Sequence, residues 1–217
     1  MARCIGDNFY FLMARGGWVM WPLLVLACTA VMLVVERSWF WVYTNFPGRM
    51  GRLREMANLL HRGERTAAAA LAETDQSVYG RAVMILMGKR VDSSVAAIAV
   101  ESQRPRLERF MPTLSTIITA APLLGILGTV TGLIQSFNIL AEDSPVSDPR
   151  AVSSAIGEAL LTTAVGLGVS ILVLFPYNAF RAQMDRAMGR FELLIAAAAS
   201  EEQVEKYLPD QKVNLSV

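Results

Sequence analysis

Long charge-free runs dominate the pattern along this chain. Phe110 to Ala141, 32 residues, contains no Asp, Glu, Lys or Arg. Ala151 to Phe180, 30 residues, contains only Glu158, and Gly16 to Val35 adds a run of 20 without charge. About 20 apolar residues cross a bilayer as helix, so the pattern predicts three transmembrane helices, at 16–37, 110–141 and 151–180. At about 1.5 Å per residue the second run would reach about 48 Å, more than the roughly 30 Å of hydrocarbon. Helices 2 and 3 are therefore expected to project out of the membrane and join polar helices there. RAQMDRAMGRFELLIAAAASEEQVEKYL supports this for the third, since it keeps helical spacing without a breaker until Pro209.

Between the first two runs the periodicity is that of short helices. GRLREMANLLHRGERTAAAALAE has apolar positions at three and four spacing, interrupted by Gly63. TDQSVYGRAVMILMGKR predicts a second helix capped by Thr74 or Asp75. VDSSVAAIAVESQRPRLERFMPTL predicts a third starting at Asp92 or Ser93, with Pro105 and Pro112 as kinks on the way to the second span. Neither a strand period nor an internal repeat is visible. The expected fold class is an all-α integral membrane protein with three transmembrane helices, helices 2 and 3 extending into a cytoplasmic helical domain.

Composition agrees: apolar residues are 53% and charged residues 18%, against about 25% charged in soluble domains. The net charge of +1 offers nothing to nucleic acid. Its distribution matters more. Of 20 Lys and Arg, residues 37–109 hold twelve, the tail from Arg181 five, the N-terminus two and the 142–150 loop one. Positive-inside bias then places 38–109 and 181–217 in the cytoplasm, and the 1–15 N-terminus and 142–150 loop outside. The first run has no A-x-A site after it and ends in Glu36-Arg37 and the aromatic SWFWVY, which suits an interface, so it reads as a retained anchor rather than a signal peptide. Cys4 and Cys28 match no metal or redox spacing, and Cys28 is expected to be a buried structural thiol. His61, beside Arg62, is expected on a solvated face. No cofactor or metal site is expected.

Within the spans, small and polar residues carry the remaining information. Gly125, Gly128 and Gly132 share one helical face, and Gly128 and Gly132 form a GxxxG pair, which lets helices approach closely in lipid. Thr129 adjoins them, either as part of a polar surface or bonded back to its own helix. In the third span Glu158, Thr162, Gly166 and Ser170 follow one another at i+4, with Thr163 at the edge. An acid at the bilayer centre costs about 2.5–3.5 kcal/mol on insertion scales. Glu158 is thus either held neutral against a neighbouring helix, or faces water or another subunit in an ion path. A relay across about 30 Å needs more than one station, and these spans hold no second proton-carrying group. A complete path would draw on another polypeptide.

APLLGILGTVTGLIQSF, IGEALLTTAVGL and YNAF together resemble the MotA/TolQ/ExbB proton channel family, its ExbB/TolQ branch most closely. The resemblance covers about Glu108 to Phe180, and the three-span layout covers the chain. It implies an inner-membrane homopentamer around a pore, with the N-terminus outside and the C-terminus inside. Two ExbD/TolR-like subunits would sit in the pore, each bringing one membrane Asp, and proton flow would drive a TonB- or TolA-like protein spanning the periplasm. Thr129, Glu158 and Thr163 match the family's threonine and acid positions, and Thr162 lies beside them on the expected pore-lining face. Gly125, Gly128, Gly132 and Gly166 are expected to pack helices. The sequence departs from the family at Leu172, where a proline is common; here Pro176 precedes Tyr177 directly, so a kink is expected lower in the helix. An alternative is a non-conducting scaffold that assembles the ExbD/TolR-like partner. An enzyme is not expected, since one His, no metal-ligand cluster and no Walker lysine in GILGTVTG leave no catalytic set.

Overall fold

The computed structural model describes residues 17–88, 92–141 and 149–207. The expected periplasmic N-terminus, most of the 142–150 loop, Cys4 and Pro209 lie outside them. The described chain is helical: α1 (Met20–Thr44), α2 (Pro47–His61), α3 (Arg65–Thr74), α4 (Val78–Met87), α5 (Ser93–Glu101), α6 (Arg104–Leu107), α7 (Met111–Ala141) and α8 (Pro149–Tyr207). Three of these, α1, α7 and α8, are long and apolar enough to cross a membrane. The chain divides into a span unit, up to Glu36 plus Phe110–Ala179, and a polar unit, Arg37–Arg109 plus the chain from Phe180. α1 and α8 contribute to both.

In the span unit α7 and the first half of α8 run antiparallel. Leu114, Ile117 and Ala121 of α7 and Ala155, Ala159, Val169 and Val173 of α8 are buried, joined by Val19, Met20, Leu23, Ala30 and Leu33 of the first span. The opposite faces carry Val31, Met32, Leu123, Ile134, Phe137, Leu172 and Phe175 in the open. A belt of that size is untenable in water and natural in hydrocarbon or against further subunits. Cys28 lies on an exposed face of α1, which corrects the expectation of a buried thiol: it falls outside the buried positions 23, 30 and 33. Pro122 lies inside α7 and Pro176 inside α8. Proline has no N–H, so Pro122 leaves the Ile118 carbonyl without its helical donor. The Ser170 hydroxyl supplies one at 2.7 Å.

The polar unit is a cluster of short helices against the far half of α8. Leu53, Met56, Leu60, Ala68, Ala72, Val83, Leu86, Phe191 and Leu194 form its core. α2 opens on Pro47 at its first turn, and Gly63, with φ of 77°, reverses the chain into α3. α4 is capped by Ser77, whose hydroxyl oxygen accepts from the Tyr79 and Gly80 amides. This corrects the expected cap at Thr74 or Asp75: Thr74 donates back to Leu71 within α3, and Asp75 ends that helix while accepting from the Ser77 amide and hydroxyl. Asp92 caps α5 as expected, its carboxylate accepting from the Val95 amide at 2.8 Å.

Pro105 and Pro112 start helices instead of kinking one. Pro105 lies in the first turn of α6 and Pro112 is the second residue of α7, positions where the missing N–H costs nothing. Between them Phe110 takes a left-handed φ of 63°. Arg37, 1% exposed, donates to the carbonyls of Arg106 and Leu107, tying the end of α6 to α1. His61 is exposed at the end of α2.

Candidate ion-path site

The stripe Glu158, Thr162, Gly166, Ser170 faces α7 over most of its length. A Cβ on Gly125 would lie 2.9 Å from the Thr163 Cα, one on Gly132 2.6 Å from the Ala159 Cβ, and one on Gly166 2.5 Å from the Ala121 carbonyl. On Gly128 it would run into the Thr162 hydroxyl. The four glycines therefore hold the two backbones at a separation no larger residue permits.

That separation decides what the hydroxyls do. Thr163 donates to the Gly125 carbonyl at 2.8 Å. Thr162, 2% exposed, donates to Ala159 at 2.8 Å and lies 3.5 Å from the Gly125 carbonyl. Thr129 donates to Ile126 of its own helix at 2.6 Å, which is the second of the two arrangements open to it from sequence. All three protons are committed to helix carbonyls, so these side chains present lone pairs to anything that approaches them.

Glu158 differs. Its side chain is half-buried, and among the described residues it makes no hydrogen bond or ion pair. It lines a cleft of about 120 Å³ with Thr162 of α8 and with Gly128, Thr131, Gly132 and Gln135 of α7. Gly17, Trp18 and Val19, in the turn before α1, and Ala159 of α8 complete the lining. The cleft lies at the end of the span unit where α1 and α8 begin and α7 ends. From Glu158 to Phe180 the helix continues for about 33 Å without a further Asp, Glu, Lys, Arg or His, and α7 has none.

Thr131 and Trp18 escaped the sequence reading because they lie off the glycine stripe, and Gln135 because, although it continues the stripe seven residues after Gly128, it is not a small residue. The available signal was Gln135 itself, one of two carboxamides in the charge-free 110–141 run. No group of three or more metal-ligating side chains exists among the described residues.

Three apolar helices, two of them locked by small residues, with one acid in a polar cleft, define a multi-pass membrane protein. The model of the MotA/TolQ/ExbB proton channel family matches residues 77–193. "Putative biopolymer transport protein ExbB-like 3" of Synechocystis is 34% identical over 173 residues, 76% of this chain and 81% of that one. "Biopolymer transport protein exbB1" of Vibrio cholerae is 29% identical over 184 residues, covering 81% and 80%. "Tol-Pal system protein TolQ" of Pseudomonas aeruginosa matches over 94 residues at 34%, covering 43% and 40%. The chain belongs to the MotA/TolQ/ExbB proton channel family, and its three apolar helices make it a multi-pass inner-membrane protein.

Proposed function

We propose that this chain is the ExbB/TolQ-like subunit of an inner-membrane proton channel that turns proton motive force into mechanical work on a periplasm-spanning partner. Glu158 carries the reading: it is the sole acidic or basic side chain in the charge-poor runs that form α7 and the first half of α8, and it lies in a polar cleft without a partner among the described residues. An acid is retained in a span, against its insertion cost, where it serves an ion path. The long stretch beyond it without a second station implies a partner that brings one, an ExbD/TolR-like single-span protein with a membrane Asp. Several copies of this chain, five by family resemblance, would wall the pore around that partner. Glu158, Thr129, Thr162 and Thr163 would face the conduit, with the N-terminus and the 142–150 loop periplasmic and the polar unit cytoplasmic. A TonB- or TolA-like protein would receive the motion. Each proton crossing 100 mV releases about 2.3 kcal/mol, enough to drive conformational work.

Replacing Glu158 by Ala tests this. Work that depends on the partner, such as energised uptake across the outer membrane, should cease while the complex still assembles and purifies with its partner. Full activity of Glu158→Ala would instead favour the non-conducting scaffold. That second reading has one observation of its own, since the hydroxyls of Thr163 and Ser170 both serve contacts between helices.

A further inference from the structure

We propose that Gln135 is a positioning residue that holds the Glu158 side chain in the cleft in both of its protonation states. The inference rests on the reading of Glu158 as an ion-path group and follows from a count of donors. Four polar side chains of α7 and α8 line the cleft: Thr131, Gln135, Glu158 and Thr162. Thr131 gives its proton to the Leu127 and Gly128 carbonyls, at 3.0 Å each, and Thr162 gives its proton to Ala159. Neither can donate to a carboxylate without breaking a bond in its own helix, and an unpaired carboxylate within a span is costly.

Two N–H donors remain, the Gln135 carboxamide and the Trp18 indole. The indole only donates, and Trp18 lies in the turn ahead of α1, apart from the glycine contact of α7 with α8; both side chains are exposed. The carboxamide donates through its nitrogen and accepts through its oxygen. It therefore serves ionised Glu158 as donor and protonated Glu158 as acceptor, exchanging roles by rotating its amide group. Gln135 also rides on α7 one turn beyond Thr131 and Gly132, in the segment locked against α8 by the Gly132–Ala159 contact. The height of its backbone relative to Glu158 is thereby set by the glycine register.

Infrared spectroscopy on the intact chain reconstituted with its partner in liposomes provides the test. The carboxyl C=O stretch that disappears in Glu158→Gln belongs to Glu158. Gln135→Leu should move that band to higher frequency, as a carboxyl losing a hydrogen bond does, and lower proton flux about tenfold, the equivalent of about 1.4 kcal/mol. Gln135→Asn, which keeps the amide one methylene back, should hold the band near its original position and recover part of the flux; a role in packing alone would not show this rescue. A Gln135→Leu band coincident with that of the parent, or a shift produced by Trp18→Phe in its place, overturns the proposal. Should Glu158→Gln leave flux intact, the channel reading fails, yet the band shift still decides whether Gln135 holds the acid.

Discussion

Arg190 donates from one nitrogen to the Asn45 carboxamide at 2.7 Å and to the Tyr79 hydroxyl at 2.9 Å. Asn45 in turn donates to Gln183 at 2.9 Å, so one guanidinium joins the end of α1, α4 and the far half of α8. Burial pushes the Tyr79 phenol above its ordinary 10.0, and the hydrogen bond and charge of Arg190 pull it partly back. The folded state thus keeps this proton more tightly than the unfolded chain. The stabilisation is complete below about pH 10 and is lost as pH rises through the folded value. Unfolding of the protein in detergent should steepen above about pH 10, and Tyr79→Phe should flatten that alkaline limb while costing about 0.5–1.5 kcal/mol at neutral pH. At Ser77, replacement by Ala should cost about 0.5–2 kcal/mol by exposing the first amides of α4, read from the same denaturation curves. Sequence alone singled out Glu158, because one charge in the apolar 151–180 run needs no neighbours to be noticed. It misplaced the α4 cap, because Thr74, Asp75 and Ser77 are all competent and only the backbone path around Asp75 selects among them.

Between elements, the contact of α7 and α8 depends on what is missing from each surface. Gly128→Val places methyl groups where Thr162 sits and should destabilise by about 1–3 kcal/mol. Gly157→Ala, with nothing within 4 Å of the new Cβ, should be neutral or gain up to about 1 kcal/mol from helix propensity; thermal melts of the purified protein distinguish the two. A second coupling joins Pro122 to Ser170. Ser170→Ala leaves the Ile118 carbonyl unpaired and should cost about 1–3 kcal/mol. In a Pro122→Ala background the restored helical N–H should absorb part of that loss, giving a double-mutant coupling of at least about 0.5 kcal/mol. Equal costs in both backgrounds would show that the hydroxyl does not replace the missing donor. The GxxxG text announced a close approach, but not that Thr162 would fill the Gly128 notch or that Ser170 would repair the proline.

For the molecule as a whole, the skewed Lys and Arg distribution carries an expectation of sidedness. A single cysteine introduced at Ser144, with Cys4 and Cys28 removed, should react with an impermeant thiol reagent added to the periplasmic side. One introduced at Thr66 should react only after the membrane is opened. The reverse pattern would invert the proposed path from Glu158 and place the polar unit outside.

The three spans and the helical character of the rest were determined by sequence alone. Transfer free energies add along a helix, so run length and charge count decide insertion without reference to the rest of the fold. Tertiary structure decided which face of α7 meets which face of α8. That choice depends on register between segments about 40 residues apart, which no local period encodes. From it follow the committed hydroxyls of Thr163 and Ser170 and the meeting of Glu158 with Gln135 in one cleft.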